Sequence, residues 1–148
     1  MTVERLVRQI QAYPATDQAA AVERLAVHDD PDLRSRAAEV AARLNHPQLT
    51  GLCVGLLSDP VWYVRCSACA CIGMSSVAVP AGLLLGLVES DPHEIVRSYA
   101  ALALGRVAGA DDVQRMLAVA EVAQGENHEG TPVRDILLRS VDEVCSRV

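Results

Sequence analysis

The side chains best suited to chemistry fall in two groups: three thiols, Cys66, Cys69 and Cys71, and two His-Glu dipeptides, His93-Glu94 and His128-Glu129. Thiolates spaced this closely are a zinc-type donor set, and the repeated His-Glu dipeptides are the second group to weigh. Register weighs against the first. On a helix, Cys66 and Cys69 share a face while Cys71 is rotated away from both, so the three sulfurs do not converge on one ion. For the dipeptides, His93-Glu94 precedes Val96-Arg97 and belongs to the first helical turn, where Glu94 also complements the helix dipole. His128-Glu129 falls in the polar stretch Gln124 to Gly130, which contains Gly125, Asn127 and Gly130 and reads as a loop. No Gly-rich phosphate cradle or nucleophile elbow is present. The expectation is a non-enzyme with no catalytic residue, no metal site and no cofactor.

The elements that position these residues are set by a repeated phrase. Ser58-Asp59-Pro60-Val61-Trp62-Tyr63-Val64-Arg65 returns as Ser90-Asp91-Pro92-His93-Glu94-Ile95-Val96-Arg97, and a form shortened by two residues stands earlier as Asp30-Pro31-Asp32-Leu33-Arg34. Thr131-Pro132-Val133-Arg134 is a degenerate fourth copy. Successive prolines, Pro31, Pro60, Pro92 and Pro132, are separated by 29, 32 and 40 residues, enough for two helices and their turns in each interval. Each Asp-Pro reads as a helix start, with Asp capping the first-turn amides and Pro at the first helical position. Val64, Ala68 and Ile72 then recur at the four-residue step, as do Val96, Ala100 and Leu104, or Leu33, Ala37 and Ala41, which gives each helix one apolar stripe.

The expected fold is all-α, a right-handed α-α superhelix of about four to five helix pairs in one domain spanning 1–148. Its helices lie near 3–13, 16–28, 31–44, 46–58, 60–74, 77–89, 92–108, 110–124 and 131–147. About half of the 148 residues are apolar, yet Phe is absent and Ala is abundant, so the core is built of small and aliphatic side chains whose helices approach closely. All 13 basic residues are Arg. A net charge of -6 disfavours a surface that tracks a phosphate backbone, so nucleic acid is not an expected partner. The N-terminal segment mixes acid and base without an apolar core, and the longest apolar run, Val77 to Val88, is interrupted by Pro80. These features predict no secretory signal, no membrane span and a cytoplasmic location. In that compartment all five cysteines are expected as free thiols, packed as small hydrophobes.

Asp91 to Gly105, with its Asp-Pro, Val-Arg, Ala and Leu-Gly positions, resembles a HEAT repeat of the short bacterial kind seen in phycobilisome-lyase-like proteins. The resemblance covers nearly the whole chain and implies a solenoid. It also implies that Asp59, Asp91, Arg65, Arg97 and Arg134 form a structural ladder between repeats. One HEAT-repeat enzyme family, the deoxyhypusine hydroxylases, binds two irons through His-Glu dipeptides, but inside the helix rather than at its start. The resemblance therefore leaves three functions open: a protein-interaction scaffold, a metal-dependent hydroxylase, and a lyase or carrier for a small apolar ligand.

Aligning the copies isolates positions that face away from the buried stripe on the second helix of each pair. They read Arg36, Glu39 and Arg43, then Ser67, Ala70 and Met74, then Tyr99, Leu102 and Arg106, then Ile136, Arg139 and Glu143. In a curved solenoid such positions line the concave side. The middle is mostly apolar and the ends are charged, which suits an amphipathic helix or an extended peptide of another protein, or a second copy of this chain. The expected partner-binding residues are Trp62, Tyr63, Met74, Tyr99 and Leu102 as anchors, with Arg36, Arg43 and Arg106 meeting acids at the rim.

Overall fold

The computed structural model describes residues 2–75 and 79–147. They form two compact units, residues 1–77 and 78–148. Unit 1 contains α1 (Val3–Gln11), α2 (Ala15–Ala26), α3 (Pro31–Leu44), α4 (Thr50–Leu56, led in by a 3-10 turn at Pro47–Leu49) and α5 (Trp62–Met74). Unit 2 contains α6 (Ala81–Ser90), α7 (Glu94–Val107), α8 (Val113–Val122, led in by a 3-10 turn at Ala110–Asp112) and α9 (Val133–Ser146). The expected start of a helix at Val77 and Ala78 lies outside the described residues. Among the described residues no helix is long and apolar enough to cross a membrane.

The stripes read from the four-residue step form the core of each unit except at Leu33 of α3, which is half-buried while Ala37 and Ala41 of the same stripe are buried. Val64, Ala68 and Ile72 of α5 are fully buried where α5 packs on α3 and α4, whose Ala37, Val40 and Cys53 are buried too, and Val22 of α2 is buried in the same unit. In unit 2, Val96, Ala100 and Leu104 of α7 are equally buried, facing Leu84 and Leu85 of α6 and Leu137 of α9. Small residues set the spacing where α7 meets α9. The Ser140 hydroxyl donates to the Ala101 carbonyl at 2.7 Å, and a side chain at Gly105 would run into Glu143 and Ser140. Such packing is sensitive to single methyl groups. Ile72→Val is expected to cost about 1 kcal/mol, read as a lower urea midpoint at unchanged slope.

The Asp-Pro phrase does more than begin helices. In all three copies the Asp carboxylate accepts from the amide two residues on: Asp30 from Asp32, Asp59 from Val61 and Asp91 from His93, each at 2.9 Å. In the shortened copy this bond is itself the cap, with Asp30 as N-cap and Pro31 opening α3. In the longer copies the same bond closes a separate turn. There α5 and α7 begin two residues after the proline, at Trp62 and Glu94, with Val61 and His93 at the cap positions. The two extra residues of the longer phrase are that turn.

The arginines of the phrase also divide their work. Arg34 holds Asp59 with two bonds, Nε to Oδ2 at 2.8 Å and Nη2 to Oδ1 at 3.2 Å, and its Nη1 reaches the carbonyls of His28 and Asp29. This is one rung of the ladder, joining the first copy to the second. Arg65 and Arg97 cap the carbonyls of Asp59 and Asp91 within their own copies, at 2.9 and 2.6 Å. Arg97 also reaches forward, but its Nε donates to the Gln124 carbonyl at 3.0 Å; the fourth copy has Thr131 where an Asp would stand. Arg134 departs from the expected ladder: it is exposed and makes no hydrogen bond or ion pair among the described residues.

Two cysteine expectations are overturned. Cys53 of α4 and Cys71 of α5 are joined as a disulfide rather than standing as free thiols. The helical register that separates Cys71 from Cys66 and Cys69 turns it toward α4. Cys145 is exposed on α9, beside the stripe of Val133, Leu137, Val141 and Val144 rather than within it. Cys66 and Cys69 are buried.

Candidate interaction surface

In unit 1 the second-helix positions of α3 and α5 lie side by side. The Tyr63 hydroxyl donates to Asp32 Oδ1 at 2.7 Å, Ser35 and Ser67 share a hydrogen bond of 2.6 Å, and farther along Glu39, Arg43, Ala70 and Met74 frame a groove of about 160 Å³. Donation to Asp32 holds the Tyr63 hydroxyl above its ordinary pKa, because losing the proton would set two anions against each other. Tyr63 is thus a tie between the starts of α3 and α5. Trp62 stands edge-on to it, with centroids 5.8 Å apart and planes at 88°, and is 36% exposed. Met74 is 60% exposed at the far end of the same stripe. Arg36 and Arg43 are engaged on the surface, Arg36 with Glu39 at 3.2 Å and Arg43 with Glu4 of α1 at 3.5 Å.

In unit 2 the corresponding positions of α7 and α9 border a larger cleft, about 370 Å³, lined by Tyr99, Leu102, Ile136, Arg139 and Glu143 together with Asn127, His128 and Glu129. Tyr99 is 38% and Leu102 61% exposed, an apolar floor open to solvent. Arg106 pairs with Glu143 at 3.3 Å on the rim. Exposed pairs of this kind contribute little, so Arg36, Arg43 and Arg106 remain exchangeable toward another acid. Arg139 differs: it is exposed and makes no ion pair among the described residues.

The third wall of this cleft is the stretch 123–132, and it is ordered by its own chain. Asn127 Oδ1 accepts from the amides of Glu129 and Thr131, both at 2.9 Å, and the Asn127 amide donates to the Thr131 carbonyl. The Val133 amide returns to the Gly125 carbonyl at 2.9 Å, and Glu126 and Pro132 form an isolated antiparallel bridge. The loop is clamped to α7 from two sides, by Arg97 at Gln124 and by Glu94 Oε2 accepting from the Glu126 amide at 3.1 Å. Gly125 makes this approach possible. Its φ is +91°, and a Cβ there would lie 2.7 Å from both Arg97 Nη2 and Glu94 Cβ.

These contacts also fix what the two His-Glu dipeptides do here. His93 Nδ1 accepts from the Ile95 amide as the cap of α7, Glu94 holds the loop, and His128 and Glu129 stand in the cleft wall. Among the described residues no three His, Cys, Asp or Glu side chains stand close enough to hold one metal ion.

The repeat alignment brings together Tyr99 and Leu102 in one cleft and Arg43 and Met74 in the other groove, each within its own unit. It places Arg139 on the outward strip without naming it as a binding residue, and it does not reach Asn127, His128 or Glu129. The long last interval between prolines, with Asn127 and Gly130 inside it, is the signal that bears on the loop.

No curated protein matches the chain. The family profile for HEAT repeats matches residues 18–105, more than half of its length and inclusive of the Asp-Pro phrases from Asp30 to Arg97. With helix pairs, repeated phrase and profile in agreement, the chain belongs to the HEAT-repeat family.

Proposed function

We propose that this chain is a cytoplasmic protein-interaction scaffold or adaptor, a binding module rather than an enzyme, whose partner is a protein and not nucleic acid. It lays a helix or extended peptide on the second-helix faces of its repeats. HEAT repeats commonly serve as protein-binding scaffolds, and the residues of Asp91 to Gly105 suit the short type similar to phycobilisome-lyase-like repeats. The observation that carries the reading is the unit 2 cleft, where exposed Tyr99 and Leu102 form an apolar floor beside the unpaired Arg139. A half-exposed aromatic on a helix already held by its neighbours is ordered before a partner arrives, so little entropy is lost on binding.

Affinity capture from the native cell tests this. Tyr99→Ala is expected to weaken partner capture at least tenfold with the thermal midpoint almost unchanged, because Tyr99 lies outside the core; Arg106→Glu is expected to weaken it less. Capture indifferent to both substitutions removes this surface from consideration.

The cleft volume also falls in the range of small-molecule sites, which supports a second reading as a carrier for a small apolar ligand. Native mass spectra of the purified protein separate the two, since a carrier retains ligand mass.

A further inference from the structure

We propose that Cys53 and Cys71 form a reversible dithiol-disulfide site, oxidised by a low-molecular-weight disulfide that enters at Cys71, and that its closure staples α4 onto α5. The inference does not rest on the partner-binding reading, although Cys71 shares its groove with Arg43 and Met74. Its first support is the weakness of α4. The helix is seven residues long, too short to persist on its own, and carries Gly51 and Gly55, each unfavourable in a helix relative to alanine. Nothing lies within 4 Å of where a Cβ would stand at either glycine, so no close neighbour requires them. Within α4 the buried side chains are Cys53 and Leu56, and among the described contacts Thr50 meets Ser75 at the end of α5 through a weak hydroxyl contact at 3.4 Å while Cys53 joins α5 through the sulfur bridge.

The second support is placement. The Cα atoms of Cys53 and Cys71 are 6.6 Å apart, within disulfide range, and 18 residues apart in sequence, a loop whose closure restricts the unfolded chain. Access is one-sided. Cys53 is fully buried; Cys71 is also buried, at 4% exposure, but it lines the groove between α3 and α5 with Arg43 and Met74. In a reducing cytoplasm a bond of this kind is transient rather than permanent.

The exchange balances as follows. The Cys71 thiolate attacks one sulfur of the external disulfide, breaking its S–S bond and expelling a thiolate that takes up the Cys71 proton. The Cys53 thiolate then attacks Cys71 Sγ in the mixed disulfide, expelling the second small thiolate, which takes up the Cys53 proton. Two protein thiols are oxidised to one disulfide, and one external disulfide is reduced to two thiols.

The test equilibrates the full chain in buffers spanning reduced to oxidised glutathione, followed by differential alkylation, peptide mapping and amide exchange. Cys53 and Cys71 are expected to lose alkylation together at one midpoint, while Cys66 and Cys69 remain thiols when the protein is unfolded. Amides of residues 50–56 are expected to exchange at least tenfold faster on reduction, and the thermal midpoint to fall by about 10 °C. Cys53→Ser is expected to retain glutathione on Cys71; where that variant does not fold, the alkylation midpoint of the unsubstituted chain decides alone. Cys53 alkylated throughout, Cys53 bridged to Cys66 or Cys69, or a bridge unmoved at the reducing end would each overturn the proposal.

Discussion

Asp59→Ala is expected to destabilise the protein by about 3 kcal/mol, a fall of about 10 °C in the thermal midpoint, because it breaks a rung that is closed at both ends. The Asp59 carboxylate is almost fully buried, accepts two bonds from Arg34 and accepts from the Val61 amide. Alanine leaves a guanidinium and an amide without their acceptor, and the turn that precedes α5 loses its closure. The same site predicts an acid limb. Burial by itself raises the Asp59 pKa, but the Arg34 hydrogen bond, the Val61 amide and the charges of Arg34 and Arg65 outweigh it and hold the carboxyl below its ordinary value. A folded pKa below the unfolded one means the stabilisation is present above the unfolded value of about 3.9 and is lost as pH falls through the folded one. Chemical unfolding repeated below about pH 4 therefore shows a steep loss in the unsubstituted chain and a flatter one in Asp59→Asn. Equal slopes would place the acid sensitivity elsewhere.

Gly125→Ala is expected to cost about 2 kcal/mol, and its effect concentrates in unit 2. An L-residue at φ +91° is strained, and the added methyl meets Arg97 and Glu94, the two side chains that clamp the loop. Relief requires the loop to move off α7, which breaks the Gln124 and Glu126 bonds and opens the third wall of the cleft. Amide exchange across residues 125–131 should accelerate in this variant while that of α3 and α5 stays unchanged. Gly130→Ala gives a useful contrast: it shares the positive φ of +82° but has no neighbour within 4 Å of a Cβ, so its cost is backbone strain alone.

Local rules made much of this molecule legible. The four-residue step placed Val64, Ala68, Ile72, Val96, Ala100 and Leu104 in the core because helical geometry alone brings i and i+4 to one face. Aligning the copies paired Tyr99 with Leu102 and Arg43 with Met74 for the same reason, since equivalent positions on stacked helices face the same way. Other features had no local signature. The Asp59 bond to the amide two residues on looks identical in sequence whether it caps a helix or closes a separate turn, and only the two extra residues distinguish the cases.

The sequence by itself determined that this is a helix-pair repeat protein, because repeat period, apolar step and Asp-Pro turns are encoded within a few residues of one another. Tertiary structure decided the cysteine pairing, the redirection of Arg97 to a carbonyl and the assembly of the cleft around Asn127. Those outcomes join residues 18 or more positions apart, as with Cys53 and Cys71, or Arg97 and Gln124. Such pairs meet only when one helix has packed on another. Periodicity tells each helix which face to bury, but not which side chain the neighbouring helix will bring to it.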